Sequence, residues 1–166
     1  MNKQSEHEGE GELFALDGLS PGILQDVLPY HSYQMHKGLS KYADIDLQEV
    51  ALERSGFRPL LLIYANPGVA QGKLAKALNL ERSTIVPAIT RLEQAELVER
   101  RPHPDDKRSK ALYLTARGLR IAARIEELLQ EREKKIFAGF SAKEKATLLE
   151  LMQRATRNIW RLERDT

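Results

Sequence analysis

Ser83, Pro87, Thr90 and Arg91 recur at helical spacing along one side of the stretch RSTIVPAITRLEQ. They are hydroxyls, a proline ring and a guanidinium. Such groups hydrogen-bond to, or press against, the flat edges of another molecule. On the other side Ile85, Ile89 and Leu92 recur at i, i+4 and i+7, a single apolar stripe for burial. A helix that buries one face and shows a small, polar, cationic one has the surface needed in a DNA major groove. There Arg91 can donate two bonds to guanine, a contact worth about 1–3 kcal/mol of discrimination. Pro87, placed near the fourth helical position, removes only an early backbone bond, so it costs less than the interior value of about 3 kcal/mol. Its ring either touches a thymine methyl or only stiffens the first turn.

The elements that must hold this face run from Ala70 to Thr115. A short helix with Leu74, Ala75 and Leu78 leads to a turn at Asn79, a residue tolerant of left-handed backbone. Ser83 is the expected N-cap of the second helix. Two β-type runs follow, Leu97 to Arg101 and Ser109 to Leu114. In the second, Ala111 and Tyr113 alternate with Leu112 and Leu114. Between the runs lies a tip carrying Lys107, Arg108 and Lys110: a hairpin with a cationic end beside the reading helix, or wing. The DNA-contact set read from these residues is therefore Arg82, Ser83, Thr84, Pro87, Thr90, Arg91, Arg101, Lys107 and Lys110. Arg82, Arg101, Lys107 and Lys110 are the phosphate ligands, with Gln71 and Lys73 at the start of the preceding helix in support.

This segment resembles the winged helix-turn-helix of the MarR family of transcriptional regulators. The wing reads Asp106-Lys107-Arg108, three residues, then Leu112-Tyr113-Leu114-Thr115. Arg91-Leu92-Glu93 followed by Leu97-Val98-Glu99-Arg100-Arg101-Pro102 is similar to the family as well, as is Asn66-Pro67-Gly68 before the first helix. With flanking helices the resemblance covers roughly Leu19 to Leu162. It implies a homodimer reading a pseudo-palindromic double-stranded operator, with half-sites about one helical turn apart. It places Arg108 in the minor groove, with Asp106 orienting the wing by an internal hydrogen bond. The expected fold is mainly α with a small β-hairpin wing: a winged helix-turn-helix core between long N- and C-terminal dimerisation helices.

The 166 residues contain no cysteine, which removes disulfides, thiolate metal sites, thiol nucleophiles and cysteine-based oxidant sensing. The net charge is only +2, so distribution matters more than total. Residues 70–110 hold nine Lys/Arg against six Asp/Glu, an excess suited to groove contact rather than indiscriminate binding. No signal peptide is visible and no apolar run nears the roughly 20 residues of a membrane helix, so the expected location is cytoplasmic. Residues 1–18, rich in Glu and Gly, read as a disordered acidic tail. Residues 19–56 read as an N-terminal helical dimerisation segment. Ser20-Pro21 starts its first helix, Pro29 interrupts it, and the helix resumed from Tyr30 runs to about Leu52 before Gly56 ends it. Residues 57–115 form the DNA-binding domain. Arg58-Pro59 opens its first helix, and Leu60 to Ala65 is core. Residues 116–166 form the C-terminal dimerisation helices. Thr115 caps the first, which ends near Phe137; Gly139 follows, and Ser141 with Glu144 makes a capping box for the second. There Leu148, Met152, Ala155, Ile159 and Leu162 step 4, 3, 4, 3, a seam that wants a partner helix.

The resemblance also implies a small-molecule effector held near the dimer helices. Tyr30, His31, Tyr33 and Met35, with Lys37 beyond them and Arg58 beside the next helix, are the expected lining. Leu28-Pro29-Tyr30-His31 with Arg58-Pro59 and Ala65 to Gly68 looks like the branch that regulates aromatic-acid catabolism. The expected effector is accordingly an aromatic acid, aldehyde or aryl-CoA thioester. Four histidines exist, His7, His31, His36 and His103, and the five-residue step from 31 to 36 suits no single helical face; no metal and no cofactor is expected. No phosphate loop, nucleophile elbow or metal-hydrolase motif is present, so the chain is not expected to be an enzyme. A winged-helix protein-interaction module without DNA, or a metal-responsive repressor, are the alternatives.

Overall fold

A chain whose apolar residues step at helical spacing, broken once by two short alternating runs, folds into six helices and a small sheet among the described residues, 19–102 and 110–162 of a computed structural model. The structure divides into two units, residues 1–49 and 50–166. In the first, a 3-10 turn Gly22–Asp26 precedes helix α1, Leu28–Glu49. Ser20 Oγ accepts from the Gly22 amide at 3.3 Å. Proline at the second position of α1 starts the helix rather than kinking it, because the first-turn amides have no intrahelical partner to lose. The expected acidic tail lies outside the described residues.

The second unit holds α2 (Arg54–Ala65), β1 (Val69–Ala70), α3 (Gln71–Leu78), α4 (Arg82–Gln94), β2 (Val98–Pro102), β3 (Lys110–Leu114), α5 (Ala116–Ile136) and α6 (Ala142–Leu162). Around the start of α2 the boundaries differ from expectation. The long helix stops at Glu49, and Ala51 takes a left-handed φ of 51°. Helix α2 then opens at Arg54, before Arg58-Pro59, so Gly56 lies inside it. Glycine serves packing there. A Cβ would stand 2.8 Å from Leu92 Cδ2, so the missing methyl lets α2 lie close on α4.

The core is built from Leu60 and Ile63 of α2, Leu74 and Leu78 of α3, Ile85, Ala88, Ile89 and Leu92 of α4, and Ala122, Ile125 and Leu128 of α5. Leu61, Leu62 and Tyr64 are half-buried and Ala65 is exposed, because helix α2 turns only one face inward. The sheet has three strands, in the order β1-β3-β2, all antiparallel. Val69 pairs with Leu112, and Val98 with Leu114. The central position of β3 explains why Ala111 and Leu112 are both buried where strict alternation predicts one in and one out. The two-residue β1 is too short to leave an alternating signature.

Thr115 caps α5 and Gly139 (φ 85°) lies in the turn that follows it, both at the expected positions. Ser141 and Glu144 form the expected reciprocal box: the Ser141 amide donates to Glu144 Oε2 at 2.8 Å and the Glu144 amide to Ser141 Oγ at 3.2 Å. The Ser141 hydroxyl, which donates to the same Oε2 at 2.7 Å, and then the Ser141 amide favour the carboxylate and hold the Glu144 pKa below its ordinary value. Helix α6 buries no side chain; Leu149, Leu151, Met152, Ile159, Trp160 and Leu162 are exposed. No helix of the described residues is long and apolar enough to cross a membrane.

Candidate nucleic-acid interface

Asn79 makes the turn between α3 and α4 by taking a left-handed conformation, φ 51° and ψ 48°, while its amide and that of Leu80 close onto Lys76 and Ala75 carbonyls. Helix α4 then opens two residues before the expected point. Glu81 occupies the N-cap position without a side-chain bond, and Ser83 sits in the first turn, where its hydroxyl is not the cap. Pro87 is thereby the sixth residue of the helix, not the fourth. It offers no N–H to the Ser83 carbonyl, so the bond lost belongs to the helix body.

Ser83 and Pro87 are exposed and Thr90 is half-buried on the side opposite Ile85, Ile89 and Leu92. Thr90 Oγ1 donates to the Val86 carbonyl at 3.0 Å, leaving its lone pairs as acceptors. Exposed Gln94 completes the row 83, 87, 90, 94. The sequence reading missed it, although its helical step was visible. Arg91 lies off this row. Its Nε is 3.0 Å from Glu53 Oε2 and its Nη2 donates to Ser55 Oγ at 3.3 Å, both at the start of α2. Thr84 is exposed on the flank of α4.

A cleft of about 540 Å³ opens where the N-terminus of α3 meets α4 and the sheet. Gln71, Gly72, Arg82, Val86, Arg100 and Lys110 line it. The α3 amides and three cations give it the electrostatics of an anion site. Arg100, absent from the expected set, pairs through Nη2 with Glu93 Oε2 at 3.1 Å. Arg101 behaves differently: it pairs with Glu99 and lies over the Tyr113 ring, 4.6 Å from the centroid. Lys73 is exposed on α3. Asp106, Lys107 and Arg108 lie outside the described residues.

The turn after the reading helix is tied to the start of α5 through Thr115 and Arg117. Thr115 Oγ1 donates to the Glu96 carbonyl at 2.6 Å and accepts from the Gly118 amide at 3.0 Å, while the Thr115 amide donates to the Leu97 carbonyl at 3.0 Å. Arg117 adds a bond to the Ala95 carbonyl at 2.9 Å. A Cβ at Gly118 would stand 2.0 Å from the Leu97 oxygen. Only glycine lets α5 start this close to the strand.

Of the expected effector residues, Tyr30 and His31 meet edge to face at 5.7 Å, and His31 Nε2 lies 2.6 Å from the Gln25 carbonyl. Tyr33 and Met35 are exposed on α1, and Arg58 is exposed on α2 in the other unit. Among the described residues no three His, Asp or Glu gather at metal-binding range.

A family model described as the MarR family matches residues 52–110. An uncharacterized HTH-type transcriptional regulator of Bacillus subtilis, YybA, is 29% identical over 125 residues, covering 75% of this chain and 83% of that one. A putative transcriptional regulatory protein for the hcr operon of Thauera aromatica is 36% identical over 98 residues, 59% of each chain. Among solved structures, the transcriptional repressor CouR bound to a 23-mer DNA duplex superposes with a TM-score of 0.75 at 28% identity. The match covers 83% of this chain and 98% of that one.

Proposed function

The chain belongs to the MarR family of DNA-binding transcriptional regulators, and from that premise we propose that it is a homodimeric repressor of a pseudo-palindromic operator, released by an aromatic acid, aldehyde or aryl-CoA thioester. The observation that carries the DNA reading is the row Ser83, Pro87, Thr90 on the outer side of α4, next to a cleft lined by Arg82, Arg100 and Lys110. The row reads base edges and the cations hold phosphates. Arg108 and Asp106 serve the wing.

The exposed apolar side of α6 supports the dimer, with Met152 and Ile159 solvent-facing on one seam among the described residues. The effector reading draws on likeness to CouR and the hcr operon regulator, and on Tyr30, His31, Tyr33 and Met35 near the start of α1. Release is a population shift. A ligand favouring a conformation with misplaced reading helices weakens DNA binding, and DNA weakens the ligand by the same factor.

Two measurements test this. Selection from a randomised duplex pool should enrich an inverted repeat; a pool that stays random refutes operator reading. A thermal-shift panel should then find a ligand. One bound only by the folded state at about 100 times its Kd adds roughly 2.7 kcal/mol. A shift with a thioester but not its free acid assigns aryl-CoA, the reverse assigns the free acid or aldehyde, and silence across the panel refutes the aromatic effector.

A further inference from the structure

Helix α4 carries two cations, Arg82 at its first residue and Arg91 in its last turn. Arg91 is the one the sequence assigns to a base, yet in the structure its donors are spent elsewhere. Glu53 occupies the N-cap position of α2, but its carboxylate makes no cap bond. It receives Arg91 Nε at 3.0 Å and Ser55 Oγ at 3.3 Å, and Ser55 Oγ in turn accepts from Arg91 Nη2. The three side chains close a triangle across the α2–α4 contact. The triangle is at the surface, with the Arg91 and Glu53 side chains 46% and 69% exposed. An ion pair that open to water is weak and exchanges readily. A phosphate or a guanine edge offers the same fork a stronger bidentate partner.

We propose that Glu53 and Ser55 form a latch that competes with DNA for Arg91. Free protein holds the guanidinium on α2; operator binding transfers it to DNA, and Glu53 sets how much affinity is withheld. The latch rests on the DNA-binding reading above. Neither Glu53 nor Ser55 has any other assigned role in the interface; they act through Arg91 as positioning residues.

The test uses the full chain and one duplex selected by the wild-type protein from a randomised pool. Affinity is read by fluorescence anisotropy across a salt series for wild type, Glu53→Gln, Arg91→Ala and the double variant. Glu53→Gln should bind roughly two- to fivefold tighter, with a similar slope of log K against log salt, because Arg91 is on DNA in both complexes. Arg91→Ala should bind more weakly, and the double variant should match Arg91→Ala. Glu53→Asp, which keeps the charge but shortens the reach, should also tighten binding. Unchanged or weaker binding by Glu53→Gln overturns the latch. An equal gain in the Arg91→Ala background also overturns it, because the effect is then bulk charge. Thermal midpoints establish that each variant is folded. A pool that yields no duplex overturns the latch and the regulator reading together; a selected duplex with additive variants overturns the latch alone.

Discussion

Gly118→Ala perturbs the junction through which the turn after the reading helix is fixed to α5. The added Cβ would stand 2.0 Å from the Leu97 carbonyl oxygen, 2.9 Å from its carbon and 3.3 Å from Leu114 Cβ. Ordinary C···O contact is about 3.3 Å, so the gap is short by roughly 1.3 Å. The obstacle is backbone and cannot rotate away. Opening the junction stretches the Thr115 N to Leu97 O bond, worth about 1 kcal/mol. It also strains the Thr115 cap on Gly118, worth about 1 kcal/mol. Overpacking adds about 1–3 kcal/mol, and the better helix propensity of alanine returns at most about 1 kcal/mol. The net expectation is a loss of about 2–4 kcal/mol, a fall in Tm of roughly 5–15 °C for a chain of this size. Thermal and urea unfolding at one fixed protein concentration measure it. Gly72→Ala is the paired control. Nothing lies within 4 Å of its Cβ position, so it should be neutral or stabilising by up to about 1 kcal/mol. A Gly118→Ala chain within about 0.5 kcal/mol of wild type would falsify the close-approach argument.

Further outcomes follow from the same geometry. Glu96 holds a left-handed φ of 57° between α4 and β2; Glu96→Gly should relieve strain and gain about 0.5–1 kcal/mol in urea unfolding, whereas a loss would mean that the side chain matters more than the backbone. Glu144 is held below its ordinary pKa by Ser141. A depressed carboxylate contributes stability above its unfolded-state pKa and loses that contribution as pH falls through the folded value; in Ser141→Ala, carboxyl NMR titration should show the Glu144 pKa raised above the wild-type value but still held down in part by the amide of residue 141. Lys110→Ala and Arg82→Ala should each flatten the salt dependence of operator binding by about 0.9, and an unchanged slope removes that residue from the phosphate set. Ile159→Glu in the exposed seam of α6 should shift sedimentation from dimer toward monomer, and unchanged sedimentation would move the subunit contact elsewhere.

Periodicity made the helices, the buried stripe of α4 and the capping box of α6 legible from the sequence, because each is decided by near neighbours. What it hid depends on distant partners. Gly56 reads as a helix stop, but Leu92, brought close by the fold, makes it a packing residue. Ser83 looks like a cap because serine is a good one, yet the helix opens earlier at Arg82. The strand β1 is only two residues long and exists because β3 offers it a ladder. At the candidate interface the row on α4 was readable as spacing. The tether of Arg91 to Glu53 was not, since nothing in a helix wheel says which neighbour a long side chain will meet.

Among the described residues the sheet order leaves β2 as an outer strand with one side unpaired. Such an edge is a template on which another chain can add a strand, the first step toward aggregation. Here it reads Val98-Glu99-Arg100-Arg101-Pro102: two like charges in succession, then a residue with no amide to donate. The basic side chains of this strand, Arg100 of which lines the cleft beside α4, thus act as guards of colloidal solubility. Trading Arg100 and Arg101 for threonine and valine to tune operator choice would strip that guard, and the variant would precipitate at concentrations the parent tolerates.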